Sequence, residues 1–446
     1  MRQLLLLAVV LVSIRADGPA DNMADKVRPV PPPGIEVPAD DRSKLEQSLT
    51  DLGRSLDTIR ASKNRNTTNL WPDVQIYHNA VRIALQHNEF WSTNEIKAAH
   101  QLLQRGLERA KALEAGEAPW IKQAGLIVRG YISKIDGSVQ PYGLVVPASF
   151  TNSPNAPHRL DTWFHGRDEK LSELNFITQR ERSPGEFTPA NTFVLHLYGR
   201  YCNANKMAGE IDLIEALDHV KANYHIDENR IIERGFSMGG AAAWQFAVHY
   251  TDLFAAAAPG AGFSETPDFL KVFQNEDVQP PDYEKTLWHW YDCTDWAINL
   301  FNLPTVAYSG EIDKQKQAAD MMAKALSEEG LKLTHIIGPN TPHRYEPNAK
   351  IEVNRRLDAI AAKGRNPVPP EIRFTTWTLR YNKMFWVTVD GMQEHWTRAR
   401  VNARIADPAR LEIETENVAA LTLEMPSGYC PLDATKRPII SIDGNE

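Results

Sequence analysis

A chain of 446 residues, 42% hydrophobic and 24% charged, has the make-up of an ordinary folded protein with room for two or three domains. Its formal charge of -8, with no basic block interleaved with aromatics, argues against nucleic acid as the main partner. Three cysteines, Cys202, Cys293 and Cys430, cannot build a disulfide scaffold; free thiols are expected, with a Cys202 to Cys293 pair as the alternative.

In chain order, Met1-Arg2-Gln3 precedes the apolar run Leu4 to Ile14, which is too short to span a bilayer. Residues 1–20 therefore read as a signal peptide cleaved near Ala16 or Ala20. A secreted or periplasmic protein is expected, and no later stretch is long and apolar enough for a membrane span. Residues 21–39 form a proline-rich linker. Asn66-Thr67-Thr68 is a glycosylation sequon that matters only in a eukaryotic secretory host.

Helical spacing follows over 40–116. Leu45, Leu49, Leu52, Leu56 and Ile59 line one face of a first helix, and Val74, Tyr77, Val81 and Leu85 one face of a second opened by Pro72-Asp73. Ser92-Thr93-Asn94-Glu95 is a capping start for a third, carrying Ile96, Ala99, Leu103, Leu107 and Ala110. Over 120–364 the pattern alternates strands and helices. A hairpin turns at Asp136-Gly137, and a second hairpin or loop spans Ser153 to Pro157. Strands at Leu160 to Phe164, Phe193 to Tyr198, Ile231-Ile232, Phe254 to Ala258, Thr305 to Tyr308 and His335 to Ile337 then alternate with helices. That order predicts an α/β-hydrolase fold, a mostly parallel sheet covered on both faces, with a cap-like insert at 259–303. Short strands at close intervals over 368–446 predict a C-terminal small β-sandwich, and the end at Asp443-Gly444-Asn445-Glu446 falls on a turn signal, as in a truncated chain.

Gly235-Phe236-Ser237-Met238-Gly239 fits the Gly-x-Ser-x-Gly elbow. A serine in a strained strand-to-helix turn tolerates only minimal side chains two residues away, and the new helix aims its first amides at a developing oxyanion. A hydroxyl needs a base, and the base needs an acid that fixes its tautomer, in the chain order Ser, acid, His. Asp313, in Ser309-Gly310-Glu311-Ile312-Asp313, is the expected acid, with Glu311 its rival. His343, in a loop punctuated by Gly338, Pro339 and Pro342, is the expected base, and His335 within the last strand is read as packed. The amides of Met238 and Arg167 are the expected oxyanion hole, with the loop at His196 to Gly199 competing for the second donor. Tyr198 or Tyr201 could reach the hole, and Arg167 and Arg200 could bind an acidic substrate group or pair with carboxylates nearby. Trp288, Trp290, Tyr291 and Trp296 in the insert either wall the pocket or bury the insert. No His-Glu-x-x-His, paired Cys-x-x-Cys or phosphate-binding loop occurs, so no metal or other cofactor is expected.

Asp227-x-x-Arg230, Gly-Phe-Ser-Met-Gly-Gly, Ser-Gly-x-x-Asp313 and Thr-x-His343 together resemble the catalytic domain of the prolyl oligopeptidase family of serine peptidases. They are also similar to secreted esterases of the feruloyl and acetylxylan type. The resemblance implies a serine hydrolase acting on a small or extended peptide or ester. It departs from the family in one respect. Prolyl oligopeptidases carry a β-propeller that screens substrates by size, and here the helical region stands in its place. A non-catalytic protein binding carbohydrate or a surface partner is the reading from another class, and Ser237, Asp313 and His343 weigh against it.

Overall fold

The computed structural model describes residues 29–62, 64, 69–275 and 277–446. The signal-peptide expectation and the sequon at Asn66 lie outside the described residues. The three helices form at Ala39–Ala61, Pro72–His87 and Thr93–Glu114. Their spaced apolar residues are buried, apart from Leu49 and Leu107, which sit at the edge of the stripe. Ser92 and Glu95 close the capping box as the spacing requires, satisfying amides that have no partner within the helix. Among the described residues no helix is long and apolar enough to cross a membrane.

The central sheet has eight strands: β1 (Gly125–Ile132), β2 (Val139–Val146), β3 (His158–Phe164), β4 (Thr192–Leu197), β5 (Ile226–Phe236), β6 (Ala256–Gly260), β7 (Val306–Gly310) and β8 (Thr334–Gly338). They lie in the order β1-β2-β4-β3-β5-β6-β7-β8. β2 is antiparallel to β1 and β4, and every other neighbouring pair is parallel. This is the α/β-hydrolase fold. The first turn is fixed locally: Gly137 has φ +72, and Asp136 accepts from the amide and hydroxyl of Ser138.

Two expectations change. Ser153 to Pro157 does not turn a hairpin. With the short helix Ala148–Asn152 it begins a crossover that carries β3 past β4, so that β3 pairs with β4 and β5. The elbow strand is also longer than its Ile231-Ile232 core, because β5 begins at Ile226 and the Asp227–Arg230 ion pair at 2.6 Å holds its first turn.

The helical region packs onto β1 and β2, and its apolar residues join one continuous core with those of the sheet. The approach is close: a Cβ on Gly130 of β1 would lie 2.4 Å from the carbonyl oxygen of Pro72. The C-terminal strands are β9 (Glu371–Thr376), β10 (Lys383–Met384), β11 (Val387–Met392), β12 (Ala399–Asp407), β13 (Arg410–Glu416), β14 (Val418–Leu423) and β15 (Ile439–Ile442). They form two sheets, β10-β11-β14 and β15-β13-β12-β9, around a core of their own that includes Ile372, Phe374, Val387, Val401 and Ile413. β9 stops at Thr376, and the chain turns through Leu379–Tyr381 to send Tyr381 back toward the hydrolase body.

Candidate active site

Every parallel strand ends on one face, so the loops after β3, β5, β7 and β8 meet there. Ser237 follows β5 with φ 61 and ψ -125, a strained conformation for a residue with a side chain. The surrounding glycines allow it. A Cβ on Gly235 would lie 1.9 Å from Gly239 O, one on Gly239 2.0 Å from Phe164 O, and one on Gly240 2.2 Å from Gly260 O. The turn is pinned by Ser237 N donating to Gly260 O at 2.9 Å and by Gly240 N donating to Ser237 O at 2.8 Å. The helix Met238–His249 starts immediately after it.

Asp313 lies in the loop after β7, with its side chain 4% exposed. One oxygen accepts from Gln315 N at 2.9 Å, and the other faces Nδ1 of His343 at 2.7 Å. The loops that carry these two residues are laced together. Glu311 N donates to Gly338 O, Ile312 N to Thr341 O, and Glu311 Oε2 accepts from Asn340 N at 2.7 Å. Glu311 is therefore a brace for the histidine loop, and its carboxylate is occupied. Tyr308 braces the same loop from below, donating to Arg344 O and accepting from Glu346 N. The His343 ring rests on Phe236, the residue before the serine, at 4.8 Å between centroids. No hydrogen bond joins His343 to Ser237 among the described residues. The imidazole is 38% exposed. His335 lies in β8 with Nε2 3.0 Å from Ser309 Oγ, and burial pushes its pKa down.

The loop after β3 touches the elbow. A Cβ on Gly166 would sit 3.5 Å from Ser237 Cβ. His165 holds that loop with one ring nitrogen 3.0 Å from Tyr198 O. Arg167 turns its guanidinium outward to Glu169 at 2.7 Å.

Other expected substrate residues lie elsewhere. Arg200 is held by Asp212 at 2.9 Å and Asp136 at 2.7 Å, tying the first hairpin to the helix Ala208–Asn223. The Tyr198 ring is buried against Phe176, and Tyr201 donates to Glu169 O at 2.6 Å; both line a cavity shared with Trp91 and Glu173 on the helical side. Two of the insert's tryptophans, Trp290 and Trp296, face the C-terminal sandwich. Trp296 is fully buried beside His249, Trp290 donates to Tyr381 Oη at 3.0 Å, and Trp288 lines an outer groove with His289 and Asp295. Large rings bury most area at that seam, and the Trp290 and Trp296 indole N–H groups find acceptors there. The insert instead approaches the nucleophile helix through Phe263, which packs with Ala204, Met238 and Ala241 and continues into the Phe269 ring. The sequence signal for this was the phenylalanine spacing at 263, 269 and 273, weaker than the tryptophans beside it. Cys202 and Cys293 are free thiols: Cys202 bonds the backbone of Asp168, and Cys293 is buried.

An eight-stranded sheet of this order, with a serine elbow after β5, defines the class: the chain is a serine hydrolase of α/β-hydrolase architecture. Residues 200–363 match the model of the prolyl oligopeptidase family, so the elbow, the acid loop and the base loop all fall inside one family segment. No curated protein matches the chain. Among solved structures, the fluorophosphonate-binding serine hydrolase FphF of Staphylococcus aureus is 19% identical with TM-score 0.39, over 54% of this chain and 99% of that one. A ferulic acid esterase is 16% identical with TM-score 0.39, over 54% and 98%. The acylaminoacyl peptidase of Pyrococcus horikoshii is 14% identical with TM-score 0.40, over 55% of this chain but only 43% of its own length.

Proposed function

We propose that this serine hydrolase is exported and cleaves peptide or amide bonds in small or extended substrates through an acyl-enzyme on Ser237. The carrying observation is the strained Ser237 after β5 and a His343–Asp313 pair at 2.7 Å on the loops after β8 and β7, at the same edge of the sheet. Ser237 Oγ attacks the carbonyl carbon while His343 Nε2 takes its proton, and Asp313 holds the opposite ring nitrogen and stabilises the imidazolium. The proton then passes to the leaving group, the acyl-enzyme forms, and water repeats the sequence in reverse roles. Met238 N–H, at the start of its helix, and Arg167 N–H, in the loop against the elbow, are the two donors for the oxyanion. The family match supports peptide bonds as the target. The leader-like residues at the N-terminus support export.

A fluorophosphonate probe should label Ser237, and Ser237→Ala should abolish labelling and lower turnover by about a million-fold. Labelling that survives the substitution would place the nucleophile elsewhere. A panel of chromogenic esters and aminoacyl or prolyl amides then decides the substrate. Turnover of esters alone would replace the peptidase reading with a carboxylesterase.

A further inference from the structure

Arg180, the last residue of the helix Glu173–Arg180, is 8% exposed and makes no ion pair among the described residues. Its Nη1 donates to Nδ1 of His196 at 2.9 Å, and His196 Nε2 donates on to Pro184 O at 3.0 Å. That relay keeps the imidazole neutral: burial and the neighbouring Arg180 push its pKa down to about 3. The guanidinium charge is thus solvated by one neutral ring and left uncompensated. A buried cation without a counter-ion is unfavourable, and an anion that reached it would offset that cost.

The chain makes room for this arginine. A Cβ on Gly143 of β2 would lie 2.6 Å from Arg180 Cγ, and one on Gly185 3.2 Å from Arg180 Nη1. The guanidinium lines a cavity of about 450 Å³. Its opposite wall is His165, Gly166 and Arg167, the loop that touches the elbow. Gly185 and Glu186 also line it, next to Phe187, whose ring meets Tyr345; the Tyr345 and His343 rings both rest on Phe236. The two carboxylates on the rim are engaged away from Arg180, Asp168 by Lys170 N and Glu186 by Lys350. The cavity therefore opens beside the reacting centre and presents one unneutralised, planar donor fork.

We propose that this cavity is a carboxylate subsite, with Arg180 as the specificity-determining residue, so that the enzyme prefers acyl substrates bearing a free acid. The proposal rests on the serine hydrolase reading of Ser237 and adds its substrate class. A carboxylate is the group a guanidinium fork meets with two parallel hydrogen bonds, and it would supply the missing counter-charge.

The test compares wild type, Arg180→Gln and Arg180→Lys on three esters: 4-nitrophenyl valerate, the 4-nitrophenyl monoester of glutarate, and 4-carboxyphenyl valerate. They place the acid nowhere, on the acyl side or on the leaving group. Wild type should prefer one acidic ester over the neutral one. That kcat/KM ratio should fall about tenfold or more in Arg180→Gln, the loss expected for a hydrogen bond to a charged group, and by less in Arg180→Lys. In parallel, glutarate is titrated calorimetrically into Ser237→Ala with and without Arg180→Gln, and binding should weaken at least as much. No acidic preference in wild type, or glutarate binding indifferent to Arg180, overturns the subsite. If Arg180→Gln does not fold, Arg180→Lys carries the same test, because it keeps the charge and loses the fork. If wild type cleaves none of the esters or the amides of the panel, the hydrolase reading fails, and the glutarate titration still decides the subsite separately.

Discussion

The two flanking regions attach to the hydrolase sheet by opposite means. The N-terminal helices have no core apart from the sheet's. Their leucines merge with β1 and β2, and a buried ion pair, Asp73 with Arg129, sits at that junction. The Asp73 carboxylate is fully engaged. It accepts from Gly130 N at 2.8 Å, Trp120 Nε1 at 2.9 Å and Arg129 Nε at 3.1 Å. The C-terminal sandwich keeps its own core and docks through a polar and aromatic plug. Glu210 of the hydrolase body accepts from Tyr381, Tyr250, Arg380 and Gln245, while the Tyr381 ring stacks on His249 at 3.8 Å. A shared apolar core makes two elements one cooperative unit, whereas a separate core joined by a plug can open as a unit of its own. Among the described residues no hydrogen bond or ion pair joins either attachment to Ser237, Asp313 or His343, so catalysis and the two junctions are expected to fail independently.

The largest effect tests that independence. Asp313→Asn should lower turnover by roughly four orders of magnitude while thermal melting keeps the wild-type pattern, because only the imidazole's tautomer is lost. Glu311→Gln, which removes a loop brace, should do much less. Equal losses from the two variants would make the loop, and not one carboxylate, the catalytic requirement.

Asp73→Ala comes next and acts on the shared core. It leaves Arg129 buried with no counter-charge, and both terminal nitrogens of Arg129 already lack partners among the described residues. A loss of about 3–5 kcal/mol is expected. It should appear as one transition in which helices and sheet move together. Loss of hydrogen-exchange protection in the helices alone would break the comparison.

Tyr381→Ala should cost about 3 kcal/mol, the low end for truncating a buried aromatic, and should act on the sandwich alone. Limited proteolysis between the helix Pro347–Lys363 and β9 should accelerate, with turnover of a small ester retained. A uniform drop in stability with no earlier transition would mean that the plug is as cooperative as the core.

The smallest effect is a pH slope. Glu233 in β5 is fully buried, neither oxygen has a partner among the described residues, and burial raises its pKa well above the carboxylate range. The native state therefore holds a proton that the unfolded chain releases above about pH 4.3. Its contribution is fully present below that pH and is lost as pH rises toward the folded value. Glu233→Gln should flatten the decline in stability above pH 5, by roughly 2–4 °C for each kcal/mol recovered. The flattening should appear in the helix-and-sheet transition and not in that of the sandwich. A decline unchanged by the substitution would place its source elsewhere.

Sequence alone determined what is written locally. The elbow's glycines, the Ser92 capping box, the Asp136-Gly137 turn and the strand periods each follow from contacts within a few residues, so their pattern survives in one dimension. The positions proposed for serine, acid and base carry the same kind of signal: Ser237, Asp313 and His343 follow the ends of three different strands, and those ends are marked by Gly and Pro. What only the tertiary structure decided is where large side chains go once the elements pack. Trp290, Trp296 and Tyr198 carry no directional signal; the two tryptophans went to the seam with the sandwich and Tyr198 packed against Phe176, instead of the pocket. Arg200 and Arg180 are the same residue type, one in the loop after β4 and the other at the end of the helix Glu173–Arg180. One met two carboxylates and the other met a neutral histidine, and that difference depends on which strands and helices fold against them.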